Sequence, residues 1–287
     1  MTSIFRKISN FSSSLQTKIV SIFTTKELSG KQLQLVIYQL KDIYFHFLKA
    51  LAGGFLPIVK MRTKGKKKKF VIKNSVGIFH INTKDDSMLH SLPTYERKVQ
   101  KWIRTNMPKE LFIDVGSNIG FFSVVAHKSK YKSIMAFEPD PTTFKILRKN
   151  FLLNQIDTES AHNVGLGNKK NILSFYSNIN YLGGNSFKFK NKESKEIKLE
   201  INDLDSYLKK YNRNGEKISL LKMDIEGFEL EALQGMTQTL KNTQSGSKII
   251  IEILNRSNST RKILNILKKN KYVLIDQDKE NYLFEKI

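Results

Sequence analysis

The apolar residues Leu33, Val36, Ile37, Leu40, Ile43, Tyr44, Phe47 and Leu48 recur at the three- and four-residue spacing of one helix face, with Lys41, Asp42 and Lys49 off that face. The pattern predicts an amphipathic helix over 30–52, stopped by Gly53-Gly54. Two short β-like runs follow, KMRTKGKKKKFVIK and VGIFHIN, with a lysine-rich turn around Gly65 and a second turn at Asn74-Ser75. The stretch 91–106, carrying Tyr95, Val99 and Trp102, reads as a helix leading into a larger unit.

From Lys109 the pattern becomes a strand–helix alternation that the first hundred residues lack. LFIDV (111–115) reads as a strand, GFFSVVAHK as the start of a helix, SIMAFE (133–138) as a strand and FKILRKNFLLN (144–154) as a helix. HNVGL and NILSFY read as strands and NINYLGGNS as a polar, glycine-rich loop. EIKLEI (196–201) and SLLKMD (219–224) are strands, each followed by a helix, LDSYLKKY and FELEALQGM. KIIIEIL is a further strand, a helix follows near 260–269, and YVLID and YLFEKI fit an antiparallel hairpin at one sheet edge. Such alternation specifies an α/β fold, a largely parallel sheet with helices on both faces.

Composition changes this picture only in part. A chain of 287 residues with 40% apolar content can bury one sizeable core, or a core plus a smaller appendage, and the change of pattern divides it into an N-terminal extension, 1–105, and a larger domain, 106–287. The absence of cysteine removes disulfides, thiolate zinc sites and a cysteine nucleophile. The basic start has no uninterrupted apolar core of the secretory kind. The most apolar stretch, 38–61, is broken by Lys41, Asp42, His46, Lys49 and Lys60, leaving 50–59 too short to span a bilayer. The expectation is a soluble, cytoplasmic protein without a transmembrane segment. A formal charge of +23 implies a field attractive to phosphates, acidic glycans, nucleic acid or anionic lipid. The lysines at 64 and 66–69, with the helix over 30–52, keep open a peripheral site at the inner membrane surface or a lipid-linked substrate. A solvated hairpin tip and a packed helix explain the same features.

The chemistry-bearing residues fall at strand ends, where open parallel sheets bind ligands. The strand 111–115 runs into Asp114-Val-Gly-Ser-Asn-Ile-Gly120 and then directly into a helix. Gly116 and Gly120 permit close backbone approach, Asn118 tolerates an unusual dihedral, and Asp114 sets a carboxylate at the strand tip. The spacing is not that of a dinucleotide fingerprint and no P-loop lysine follows. An acid there serves a pyrophosphate poorly and a cationic amino acid bearing a sulfonium well. Glu138, before Pro139 at the end of the next strand, suits the two hydroxyls of a ribose.

These residues belong to ordered blocks, FIDVGSNIGFFS, AFEPDPTTFKILRKNFLLN, NVGLGN, GGNSF, the LD of INDLDSYL, LLKMDIEGFELEALQGM and IIIEI, by which the chain resembles the FkbM-type methyltransferases over about 109–252. The resemblance implies a Rossmann-like seven-stranded sheet, S-adenosylmethionine (SAM) as methyl donor and transfer to a hydroxyl of a sugar or other small natural product. It places Asp114, Gly116, Asn118, Gly120, Glu138 and Pro139 at the cofactor and Asn163 and Val164 beside the adenine. Ser117 and Gly165 depart from the pattern where alanine is usual.

The strand SLLKMD delivers Asp224, with Glu226 close behind, to the same sheet edge, where a carboxylate can orient an acceptor alcohol, take its proton or help hold a metal ion. Asp224 and Glu226 are the expected catalytic residues, and no metal site is assigned. Glu252 points at the same edge. Glu229 and Asp205 are explained by their places in first helical turns. The reading is a SAM-dependent O-methyltransferase acting on a saccharide, a glycan or another hydroxylated small molecule. Nucleic-acid methylation is disfavoured, because no amino-methylating tetrapeptide or RNA-binding module is present. A non-catalytic SAM-binding protein anchored by its basic face is the remaining alternative.

Overall fold

The computed structural model describes residues 69–82, 85–178, 181–190, 193–254 and 259–287. The helix expected over 30–52 and the lysines at 64 and 66–68 lie outside the described residues. Strands β1 (Lys69–Lys73) and β2 (Ile78–Asn82) form the antiparallel hairpin expected there. Its turn is closed by the Asn74 side chain, whose Oδ1 accepts from the Val76 and Gly77 amides at 2.9 and 3.2 Å. Helix α1 (Ser87–His90) follows. The helix expected over 91–106 begins only at α2 (Arg97–Thr105), because Glu96 takes a left-handed backbone, φ 41°, that cannot lie inside a helix.

The alternation after Lys109 yields β3 (Leu111–Val115), α3 (Phe121–Lys128), β4 (Ser133–Phe137), α4 (Pro141–Leu153) and β5 (Ala161–His162). A small three-stranded sheet, β6 (Gly165–Leu166), β7 (Asn171–Ser177) and β8 (Lys195–Asn202), is inserted next, in the order β6-β8-β7. Helix α5 (Leu204–Lys210), β9 (Ile218–Met223), α6 (Glu229–Gln234), α7 (Thr237–Asn242), β10 (Lys248–Glu252), α8 (Thr260–Lys269), β11 (Tyr272–Asp278) and β12 (Asn281–Lys286) complete the chain. The run HNVGL is not one strand. Ala161–His162 joins the large sheet and Gly165–Leu166 the small one, and Asn163 turns the chain between them by donating to the Glu138 and Pro139 carbonyls at 2.8 and 2.9 Å.

The large sheet has seven strands in the order β11-β12-β10-β9-β3-β4-β5. Strands β5, β4, β3, β9 and β10 are parallel, and the β11–β12 hairpin closes one edge antiparallel. This is the expected Rossmann-like, mostly parallel sheet with helices on both faces. Period-two alternation sorts the strand residues between two cores. Phe112, Ala136, Leu220 and Ile250 face the β1–β2 hairpin, α2, α3 and α4. Ile113, Met135, Leu221, Met223 and Ile251 face α5 to α8. The strand order reverses at β3, with β4 on one side and β9 on the other, so the carboxyl ends of β3 and β9 diverge into a crevice. Asp114 pairs in register with Lys222 there.

Candidate active site

Between β3 and α3 the backbone takes left-handed φ at Gly116 (77°), Asn118 (50°) and Gly120 (86°). The loop folds over the sheet end, its Gly116 and Ser117 amides donating to the Phe137 carbonyl at 3.0 and 2.9 Å. A Cβ at Gly116 would lie 1.9 Å from the Asp224 carbonyl oxygen, so the β3 and β9 tips approach each other only because this position is glycine. Gly120 starts α3, and a Cβ there would meet Leu147 Cδ1 at 2.5 Å.

Glu138 follows β4 and is buried. Its carboxylate accepts from the Asn118 amide and the Asp140 amide, both at 2.9 Å, so it ties the glycine loop to the start of α4. Burial pushes its pKa up to about 8 against the lowering effect of the Asp140 amide. Asp140 caps α4, accepting from the Thr142 and Thr143 amides at 2.7 and 3.1 Å, and also receives the Ser177 hydroxyl. Asp114 is fully buried behind the loop, with Oδ2 accepting from Ser123 Oγ at 2.7 Å and Oδ1 without a hydrogen-bond partner.

The opposite wall is acidic. Lys222 Nζ donates to Asp224 Oδ2 at 3.0 Å and lies 4.7 Å from the centre of the Phe122 ring. Burial works against the ammonium, but Asp224, Asp114 and Glu96 outweigh it and hold Lys222 above the usual lysine range. Burial likewise pushes Asp224 up, yet Lys222, a hydrogen bond with Glu252 and His90 together hold it below the usual carboxylate range. Burial and the charges of Asp224 and Glu226 drive Glu252 up to about 10. One carboxylate oxygen each from Asp224, Glu226 and Glu252 lies within 4.8 Å of the others, a spacing a divalent cation could bridge, although Lys222 already supplies a cation to Asp224. The turn carrying Glu226 is held by Glu229, 1% exposed, whose Oε1 accepts from the Ile225 and Gly227 amides at 3.2 and 3.0 Å.

Two further segments close the crevice. Asp86 accepts from the Leu182 and Gly183 amides at 2.8 and 3.2 Å, joining the 85–96 segment to the glycine-rich loop. His90 accepts at Nδ1 from Asn118 Nδ2 (3.0 Å) and turns Nε2 to Asp86 Oδ2 at 3.3 Å, the neutral tautomer this network requires. Burial lowers its pKa against the pull of Asp86. The His90 ring stacks on Tyr95 at 5.1 Å.

These walls enclose a cavity of about 290 Å³. Of the residues expected from the sequence, Gly116, Asn118, Glu138, Pro139, Val164, Asp224 and Glu226 line it, as does Glu252. Asp114, Gly120 and Asn163 stand behind the wall and hold it in place. Val164, Leu166, Phe175 and Phe187 make an apolar side, and Tyr181, Leu182, Gly183 and Asn185 of the glycine-rich loop face it. Sequence reasoning missed His90, Tyr95, Glu96 and Lys222, which also line it. Lys222 carried a signal, a charge inside a run otherwise written for a buried strand.

Residues 114–274 match the Methyltransferase FkbM domain. The chain is 31% identical over 153 residues to Methyltransferase 1 of Beauveria bassiana, covering 45% of this chain and 59% of that protein. It is 34% identical over 142 residues to the hexuronic acid methyltransferase AglP of Haloferax volcanii, covering 49% of this chain and 54% of that protein. It thus spans somewhat more than half the length of these curated relatives. Among solved structures, the O-methyltransferase from Bacillus cereus superposes with a TM-score of 0.43 at 10% identity, over 67% of this chain and 80% of that one.

Proposed function

Because this chain belongs to the FkbM methyltransferase family, we propose that it transfers a methyl group from SAM to a hydroxyl of a saccharide, a glycan or another small natural product. The observation that carries the proposal is that one cavity, at the point where strand order reverses, has Glu138 on one wall and Asp224 on the other. The hexuronic acid named for the Haloferax relative supports a saccharide acceptor.

The residues present fit the cofactor. Glu138 offers a buried acceptor for a ribose diol, and Val164 with Pro139 offers an apolar edge for adenine. The Gly116–Asn118 backbone, with Asn118 Oδ1 buried and without a hydrogen-bond partner, takes the amino-acid end. Asp114, Gly120 and Asn163 shape this cradle from behind. Bound SAM supplies an electrophilic methyl group on a sulfonium, and the products are a methyl ether, S-adenosylhomocysteine and a proton.

Asp224 and Glu226 receive the acceptor at the other end. Held ionised by Lys222, Asp224 accepts the hydroxyl hydrogen bond and points the oxygen lone pair along the cavity. A carboxylate kept below its usual range is a weak base towards an alcohol. The hydroxyl proton becomes strongly acidic as the new carbon–oxygen bond forms, so Asp224 or Glu226 still takes it. Most of the rate therefore comes from holding the two reactants in reach, an effect of several kcal/mol, ~7 or more when alignment is good.

The test is a calorimetric titration of S-adenosylhomocysteine into wild type and Glu138→Ala. Wild type binds, and the variant binds at least about tenfold more weakly, a loss of about 1.4 kcal/mol. A folded wild type that fails to bind overturns the methyltransferase reading.

A further inference from the structure

Three walls of the cavity meet through one imidazole. Asp86 is buried and holds the Leu182 and Gly183 amides of the glycine-rich loop, one with each carboxylate oxygen. Its Oδ2 also lies 3.3 Å from His90 Nε2. A carboxylate accepts and cannot donate, so in the neutral ring the proton is favoured on Nε2. Burial keeps the ring neutral against the pull of Asp86. Nδ1 is then an acceptor, and it takes a hydrogen bond from Asn118 Nδ2 at 3.0 Å. The loop reaches the ring because position 183 is glycine, where a Cβ would lie 2.5 Å from His90 Cε1. The ring is backed by Tyr95, stacked on it at 5.1 Å and itself packed edge-on against Phe121.

This chain of contacts decides which end of the Asn118 amide a ligand meets. With Nδ2 committed to His90, Oδ1 is the end that has no hydrogen-bond partner among the described residues. An acceptor left unpaired in a protein wall is costly until a donor arrives. The amino-acid end of SAM brings one, an α-ammonium group that donates and cannot accept. With the ring proton on Nδ1 instead, the amide would turn over and set its own NH2 against that ammonium. Resting on the methyltransferase reading, we propose that Asp86 and His90 are positioning residues for the cofactor. They fix the Asn118 side chain so that Oδ1 receives the α-ammonium of SAM. The same Asp86 carboxylate seats the glycine-rich loop, so loop placement and recognition of the ammonium are linked.

The experiment uses the full chain with S-adenosylhomocysteine and its deamino analogue, which keeps the adenosine and the carboxylate and lacks the ammonium. In calorimetric titrations at about pH 7.5, wild type binds S-adenosylhomocysteine at least about tenfold more tightly than the analogue. In Asp86→Asn the new amide donates to His90 Nε2, which moves the ring proton to Nδ1. His90→Phe keeps the stack on Tyr95 and removes the acceptor. Each variant weakens S-adenosylhomocysteine at least about fivefold and the analogue less than about twofold. Nitrogen-15 NMR of the histidine rings, with His90 assigned by its absence from the His90→Phe spectrum, shows the wild-type proton on Nε2. Equal weakening of both ligands, as a merely structural role would give, overturns the inference. So does an unchanged affinity for S-adenosylhomocysteine in folded variants. If the variants do not fold, wild type alone decides: a ring protonated on Nδ1, or equal binding of the two ligands, also overturns it. Failure of wild type to bind S-adenosylhomocysteine counts instead against the methyltransferase reading itself.

Discussion

Glu229 shows what a single side chain does here that its neighbours in sequence do not reveal. Its place in a first helical turn explains an acid by the helix dipole alone, yet the carboxylate turns back and holds the amides of Ile225 and Gly227 on either side of Glu226. Burial raises its pKa to about 7. Between the unfolded value of 4.5 and about 7 the folded chain keeps a proton that the unfolded chain has released, so this group's contribution to stability falls as pH rises through that window. Glu229→Gln keeps a carbonyl oxygen for the two amides and removes the titration. Its stability relative to wild type should rise by up to about 1.4 kcal/mol per pH unit across the window and level off above it. Urea midpoints for both proteins at several pH values check this, and parallel curves would show that Glu229 is not protonated. Glu138 and Asp224 were legible in the sequence because each ends a strand beside a glycine or proline signal. His90 and Glu96 were not, because no local pattern marks a residue that reaches a site through tertiary packing.

Among the elements, the segment from Asp85 to Glu96 forms a wall of the cavity, although its residues from 91 on carry the pattern of the helix expected over 91–106 and those before 91 carry no pattern of their own. Asp86 is its fastening to the glycine-rich loop, through the Leu182 and Gly183 amides. Asp86→Ala leaves those two amides without their acceptor and should cost about 1–3 kcal/mol of stability. With the loop untied, S-adenosylhomocysteine should also dissociate several times faster, measurable by stopped-flow fluorescence. A stability loss with an unchanged dissociation rate would show that the fastening supports the fold and does not retain the cofactor. The long elements were legible because their apolar periods of two and 3.6 are set by burial on a sheet or helix face. HNVGL carries the pattern of one strand, but its division depends on Asn163 meeting the Glu138 and Pro139 carbonyls, which belong to another part of the chain.

At the scale of the whole molecule, the charge of +23 and the acidity of the cavity act at different ranges. The first is a field over the surface, screened beyond about 10 Å at 0.1 M salt, and the second is felt only at contact. No helix among the described residues is long and apolar enough to cross a membrane. The full chain should sediment with phosphatidylglycerol vesicles at low ionic strength and be released by several hundred millimolar salt, whereas retention would indicate apolar insertion. Chain order alone specifies the strand–helix alternation, the glycine loop at 116–120 and the acids at the strand tips, because periodicity, backbone freedom and position at a strand end are local properties. Tertiary packing sets that Lys222 neutralises Asp224, that Asp114 and Asn163 support the wall without lining it, and that Glu96 and His90 join Glu252 at one cavity. Those outcomes depend on which buried charges face one another across the sheet, and chain order does not encode that.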